Sequence, residues 1–157
     1  MVLTAAAVLV VVLAAAVMWF EPYKLWIDNT VDEPTPEAGA VLIASGSFVS
    51  HEHTTSGDVQ LFRLPDGRQT LRLNRIDTSN GPVLKVWLSD APVLTGKRGW
   101  SVFAAHQHVD LGRLKGNQGS QNYLIPPDVD ATHFTSVTIW CARFHVSFGA
   151  APVTTTG

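Results

Sequence analysis

Cysteine is nearly absent from this chain: Cys141 is the only one in 157 residues. An intrachain disulfide is therefore excluded, and so is a multi-cysteine zinc site. Charge is also scarce. Charged residues make up 15% of the sequence, and the formal net charge is -2. No Lys/Arg cluster supplies the basic footprint of nucleic-acid binding, and nothing selects a strongly anionic substrate. Several catalytic signatures are missing as well. There is no Gly-x-Ser-x-Gly elbow, no phosphate loop, no dinucleotide fingerprint and no Cys-x-x-Cys-His haem attachment site. Asn74 and Asn122 lack the Asn-x-Ser/Thr context, so N-glycosylation is not expected.

What is abundant is apolar sequence, at 46% of residues, and it is unevenly spread. Met1 to Phe20 holds a single polar side chain, Thr4, and no charge. As an α-helix such a run reaches about 30 Å, the hydrocarbon thickness of a bilayer. In lipid the helix prevails over the strand propensity of Val8, Val10, Val11 and Val12, because each backbone amide must be satisfied within the segment. Trp19, Tyr23 and Trp26 suit a headgroup belt, and Pro22 suits the helix exit. Residues 1–20 are read as a transmembrane anchor in contact with the lipid bilayer. The rival is a cleaved signal peptide, with Ala14 to Ala16 as a cleavage site, although the run lacks a basic start and is long for that role. The expected localisation is a single-pass membrane protein with its C-terminal domain outside the cytoplasm.

Residues 21–44 carry Pro22, Pro34 and Pro36 among several acids and read as a stalk. From 45 to 153 short alternating runs are bounded by turn residues, with a tail at 154–157. Roughly 110–135 residues beyond the anchor suffice for one core. Expected strands are Ser45–Ser50, Asp58–Leu64, Gln69–Ile76, Leu84–Ser89, Trp100–Ala105, His108–Leu111, Asn122–Ile125, Ser136–Cys141 and His145–Phe148. Pro65-Asp66-Gly67 predicts a hairpin, and Asp128 to Phe134 one helical turn. In the third run Leu71, Leu73 and Arg75 fall on one face, with Arg72, Asn74 and Ile76 on the other. The fold class is all-β, a β-sandwich-like domain of about eight or nine short strands behind one transmembrane helix.

Chemistry concentrates at Cys141. Val137, Ile139 and Cys141 share one face at period two, which favours a buried thiol. Its place at a strand end, beside Trp140 and Arg143, favours a partly exposed and reactive one. His145 lies too near along the chain for its geometry as a base to be assigned. His51 with His53, and His106 with His108, form His-x-His pairs that could chelate Cu or Zn if brought together, though such spacing is unspecific.

Two long strings carry a family likeness. Val109-Asp110-Leu111-Gly112-Arg113-Leu114-Lys115-Gly116-Asn117-Gln118-Gly119-Ser120-Gln121-Asn122-Tyr123-Leu124-Ile125-Pro126 resembles the central motif of the DM-thirteen domain family. Ser136 to Ala151, with its Trp140-Cys141 pair, resembles that family's C-terminal motif. Gly46-Ser47-Phe48, His53 with Ser56-Gly57, and Gly81-Pro82 through Trp87-Leu88-Ser89 fit the N-terminal half. The likeness runs from about Ser45 to Val153 and is similar to single-domain bacterial members with an anchor. One departure is Val83, where the family often has Asp. The resemblance implies a β-sandwich-like fold and a membrane-tethered electron-transfer or redox module, rather than a stand-alone enzyme. It centres on Cys141, with Trp140 beside it, as a redox thiol or as the ligand of a non-covalent haem, and it implies a redox partner protein. The alternative is a non-enzymatic cell-surface binding or structural β domain with a buried cysteine.

Overall fold

The structure is a computed structural model that describes residues 2–23 and 27–156, with helix side chains from Thr4 onward. Trp26, placed at the headgroup level by sequence, lies outside the described residues.

Helix α1 covers Val2–Phe20 and is followed by strands in two sheets. The strands are β1 (Thr30–Asp32), β2 (Val41–Ser47), β3 (Val49–Ser50), β4 (Thr55–Arg63), β5 (Gln69–Thr78), β6 (Leu84–Ser89), β7 (His108–Arg113), β8 (Gln118–Leu124), β9 (Ser136–Cys141), β10 (Val146–Pro152) and β11 (Thr154–Thr155). One sheet has the order β1-β8-β5-β4-β2-β11, and the other β3-β10-β9-β6-β7. A single apolar core joins them. Val59, Leu61, Leu71 and Leu73 of the first sheet meet Val86, Leu88, Val137 and Ile139 of the second. Alternation along each strand dictates this, because every second side chain must leave water together. The expected sandwich architecture is therefore present, with eleven strands among the described residues.

The membrane span is not supported in the same way. Among the described residues no helix is long and apolar enough to cross a membrane.

Four local departures have physical reasons. Trp100–Ala105 is not a strand: 3₁₀ turns occupy Gly96–Gly99 and Val102–Ala105, and Phe103 is pinned into a second small core with Ala91, Trp140 and Ala150. Ile76 does not oppose Leu71 and Leu73 but is buried with them. A bulge between Leu73 and Ile76 re-phases β5, with Arg75 at φ 50°. Its partner is Gly57, at φ 109°, where an added Cβ would stand 2.6 Å from the Arg75 carbonyl oxygen. Only glycine tolerates both that approach and that backbone conformation. Within the expected stalk, Thr30–Asp32 pairs in parallel with Gln118–Ser120. At the expected tail, Thr154 and Thr155 pair with Ser45 and Ala44. The Pro65-Asp66-Gly67 hairpin forms between β4 and β5 as predicted, closed by Leu64 N–H donating to the Arg68 carbonyl at 2.8 Å. The helical turn expected near 128–134 forms at Ala131–His133.

Candidate functional site

Cys141 ends β9, between Leu84 of β6 and Val146 of β10. Period-two alternation turns its sulfur inward with Val137 and Ile139, and its exposure is 0%. The Sγ–H donates to the Pro82 carbonyl at 3.3 Å. Burial pushes the thiol pKa up, outweighing the favourable Phe144 and Arg143 backbone amides and the Arg143 charge. The thiolate, the nucleophilic and metal-binding form, is therefore disfavoured in this packing.

Beside Cys141's neighbours Pro82 and Val146 lies a cavity of about 460 Å³. Pro82, Phe144, Val146 and Phe148 line it, but Cys141 does not. The thiol thus lies one residue layer behind an aromatic pocket. The C-terminal end of α1 closes one side: the Phe20 and Phe144 rings stack at 6.0 Å, and the Arg143 guanidinium sits 4.7 Å from the Trp19 ring centroid.

Trp140 neighbours Cys141 in sequence but projects from the opposite face of β9. It is 1% exposed, in the small core beneath residues 91–106. Its ring stacks on Trp87 at 4.7 Å, and Trp87 stacks on His108 at 3.7 Å. The indole Nε1 of Trp87 is buried with no hydrogen-bond partner among the described residues. The sequence pair Trp140-Cys141 is thus split between two cores.

The histidine pairs do not converge. Among the described residues no group of three or more His, Cys, Asp or Glu side chains could hold a metal ion. His51 is half-buried, with Nε2 2.9 Å from the Leu94 carbonyl and Nδ1 2.7 Å from the Ser147 hydroxyl. A carbonyl only accepts, so Nε2 carries the proton and Nδ1 accepts from Ser147. Thr138 Oγ1 lies 2.7 Å from Ser147 Oγ and extends the network inward. Burial lowers the His51 pKa, against the opposing hydrogen bond to Leu94. His53 pairs with Glu52 at 2.5 Å and packs on Phe148 at 3.9 Å. His106 pairs with Asp90 at 3.1 Å, while His108 caps the tryptophan stack. The pairs are divided because each His-x-His has one member drawn inward or sideways by a separate partner.

The central motif proves to be architectural. Gln121, fully buried, accepts at Oε1 from Lys115 N (2.9 Å) and Tyr123 OH (2.6 Å), and donates from Nε2 to the Gly116 carbonyl (2.8 Å). Asn117 receives the chain arriving from α1. Its Oδ1 accepts from Asn29 N at 2.7 Å, and its Nδ2 donates to Asp28 and to the Thr78 carbonyl, both at 2.8 Å. Glu33 completes the seam, accepting from Lys115 Nζ and from Asn122 N, each at 2.7 Å. Gly119, at φ 96°, lies where a Cβ would stand 2.1 Å from the Val31 carbonyl oxygen, so β1 can dock only against glycine. Sequence spacing marked none of the pocket residues as a set; Phe144, Phe148 and Trp100 meet only through the fold.

A non-covalent haem does not fit this arrangement. Its candidate axial ligand does not line the adjacent pocket, is hydrogen-bonded to a backbone carbonyl and is held as the neutral thiol, whereas cysteine binds haem iron as thiolate.

No curated protein and no solved structure matches the chain. A family model described as electron transfer DM13 matches residues 47–153, which takes in β3 to β10, the central motif and Cys141. On that match, over about two thirds of its length, the chain belongs to the DM13 electron-transfer domain family.

Proposed function

We propose that the chain is an electron-transfer module held at a membrane outside the cytoplasm by α1, with Cys141 as its redox group and a separate redox protein as its partner. The observation that carries this reading is the position of Cys141: inside the family-matched domain, and separated by one wall from an aromatic pocket at the foot of α1. Membrane attachment is supported by the side chains of α1. Val8, Val10, Val11, Met18 and Trp19 are each more than half exposed, and no charge interrupts them. A continuous apolar surface of that kind needs a covering. Access to the sulfur requires the turn between β9 and β10 to move. That turn already stores strain, with His145 at φ 54°.

Complete burial of Cys141 favours a second reading, a structural β domain whose cysteine is a small core residue. Redox titration of the full chain in lipid nanodiscs separates the two. A reversible signal that Cys141→Ser abolishes while the fold is retained supports the first. A signal identical in wild type and variant, or none in either, leaves the structural reading.

A further inference from the structure

The pocket at the foot of α1 has features that neither the family match nor the buried thiol explains. Its walls are aromatic, with Phe20, Trp100, Phe144 and Phe148 among them, and its volume is about 460 Å³. That falls within the range of small-ligand sites, which are mostly apolar with a few placed polar groups. The polar groups here include Glu52 and His53. His53 Nε2 stands 2.5 Å from Glu52 Oε2, and the imidazole packs against Phe148 with ring centroids 3.9 Å apart. The opposite side is contributed by α1, whose Phe20 lies flat over Phe144 with 7° between the ring planes. The stacked Phe20–Phe144 pair leaves no gap between its own rings, but together with Trp100 and Phe148 it lines the pocket with flat aromatic faces, against which a flat ring stacks better than an acyl chain. An imidazole–carboxylate pair at its edge can donate to or accept from an oxygen on that ring. The pocket also opens where the apolar helix meets the domain, so an apolar ligand would reach it from the phase that covers α1.

We infer that this pocket binds the ring of a lipid-soluble quinone, stacked against its aromatic lining with one ring oxygen on the His53–Glu52 pair. Phe144 is the stacking residue and His53 the orienting one. The inference rests on the proposed function for the choice of a redox-active ring and for the apolar phase that covers α1, and binding is measured with no electron flow.

The test uses the full chain in nanodiscs and a short-chain benzoquinone, followed by quenching of tryptophan fluorescence, with Trp100 in the pocket wall as reporter. Saturable quenching is expected, absent from empty nanodiscs and lost in Trp100→Phe. Phe144→Ala and His53→Leu should each weaken binding at least tenfold. Phe144 is 49% exposed, so its truncation is expected to leave the melting curve nearly unchanged. Non-saturable partitioning, equal affinity in both variants, or displacement of the quinone by lysophospholipid at equal mole fraction would overturn the inference. Quinone binding in a protein whose Cys141 carries no electrons would sustain it and refute the redox role of Cys141. Electron transfer with partitioning alone would do the reverse.

Discussion

Alkylation of Cys141 offers the most direct reading of the site. The sulfur has no exposed surface, and burial holds it as the neutral thiol. A reagent therefore reaches it only through opening of the strand end. If that opening needs about 5 kcal/mol, the low end of domain stability, the accessible form is about one molecule in 5,000. When reclosing outruns the chemistry, labelling is then slower than in the denatured chain by about 10³–10⁴. The assay compares iodoacetamide labelling of the full chain at pH 8, native and in guanidinium, by intact mass. A native rate within tenfold of the denatured rate would refute the burial argument and with it the wall between thiol and pocket. The same burial has a consequence for pH. The folded pKa lies above the unfolded value of about 8.5, so the folded chain keeps a proton that the unfolded chain has lost. This contribution to stability is complete below about pH 8.5 and is lost as pH rises through the folded pKa, at no more than about 1.4 kcal/mol per pH unit. Cys141→Ala should remove that alkaline slope while lowering stability by about 1–2 kcal/mol through lost packing.

Three further outcomes are expected. His51 is held neutral by burial, so its folded pKa lies below the unfolded value of 6.5; stability is present above that pH and lost as pH falls through the folded pKa. His51→Gln should flatten the melting temperature between pH 7 and 5, and an unchanged slope would count against the Ser147–His51–Leu94 network. Asn117→Ala removes the bonds to Asn29, Asp28 and Thr78 at a 1% exposed position, and should cost about 1–3 kcal/mol. Hydrogen exchange in residues 28–33 should rise in that variant, and unaltered protection would show that β1 docks without the clamp. Val83 sits at φ 54°, a conformation costly for a β-branched side chain. Val83→Asn should therefore stabilise by about 1 kcal/mol in chemical denaturation, and a loss of stability would mean that the Val83 side chain contributes more by packing than its backbone loses.

The departure at Val83 is legible in the chain itself, since the family resemblance places Asp there. Its meaning is not, because a φ value is set by how β6 leaves the Gly81-Pro82 turn. The candidate site is legible in the same partial way. Period two places Cys141 on the core side with Val137 and Ile139. Nothing along the chain indicates that Trp140 belongs to a separate core, or that Phe20 and Phe144, more than a hundred residues apart, face each other across a pocket.

Local sequence is sufficient wherever the governing interaction is local. Alternation assigns the faces of β9, and Pro65-Asp66-Gly67 assigns a hairpin. Long-range contact governs the rest. Val31 enters β1 because Gly119 leaves room for its carbonyl and Asn117 holds the backbone before it. Ile76 turns inward because Gly57, on the neighbouring strand, accommodates the bulge. Trp100–Ala105 abandons its strand pattern because Phe103 gains more by burial against Trp140 and Ala150 than an extended segment could provide. Each of these outcomes depends on atoms from two or more distant segments meeting, and no window of sequence contains both sides of such a contact.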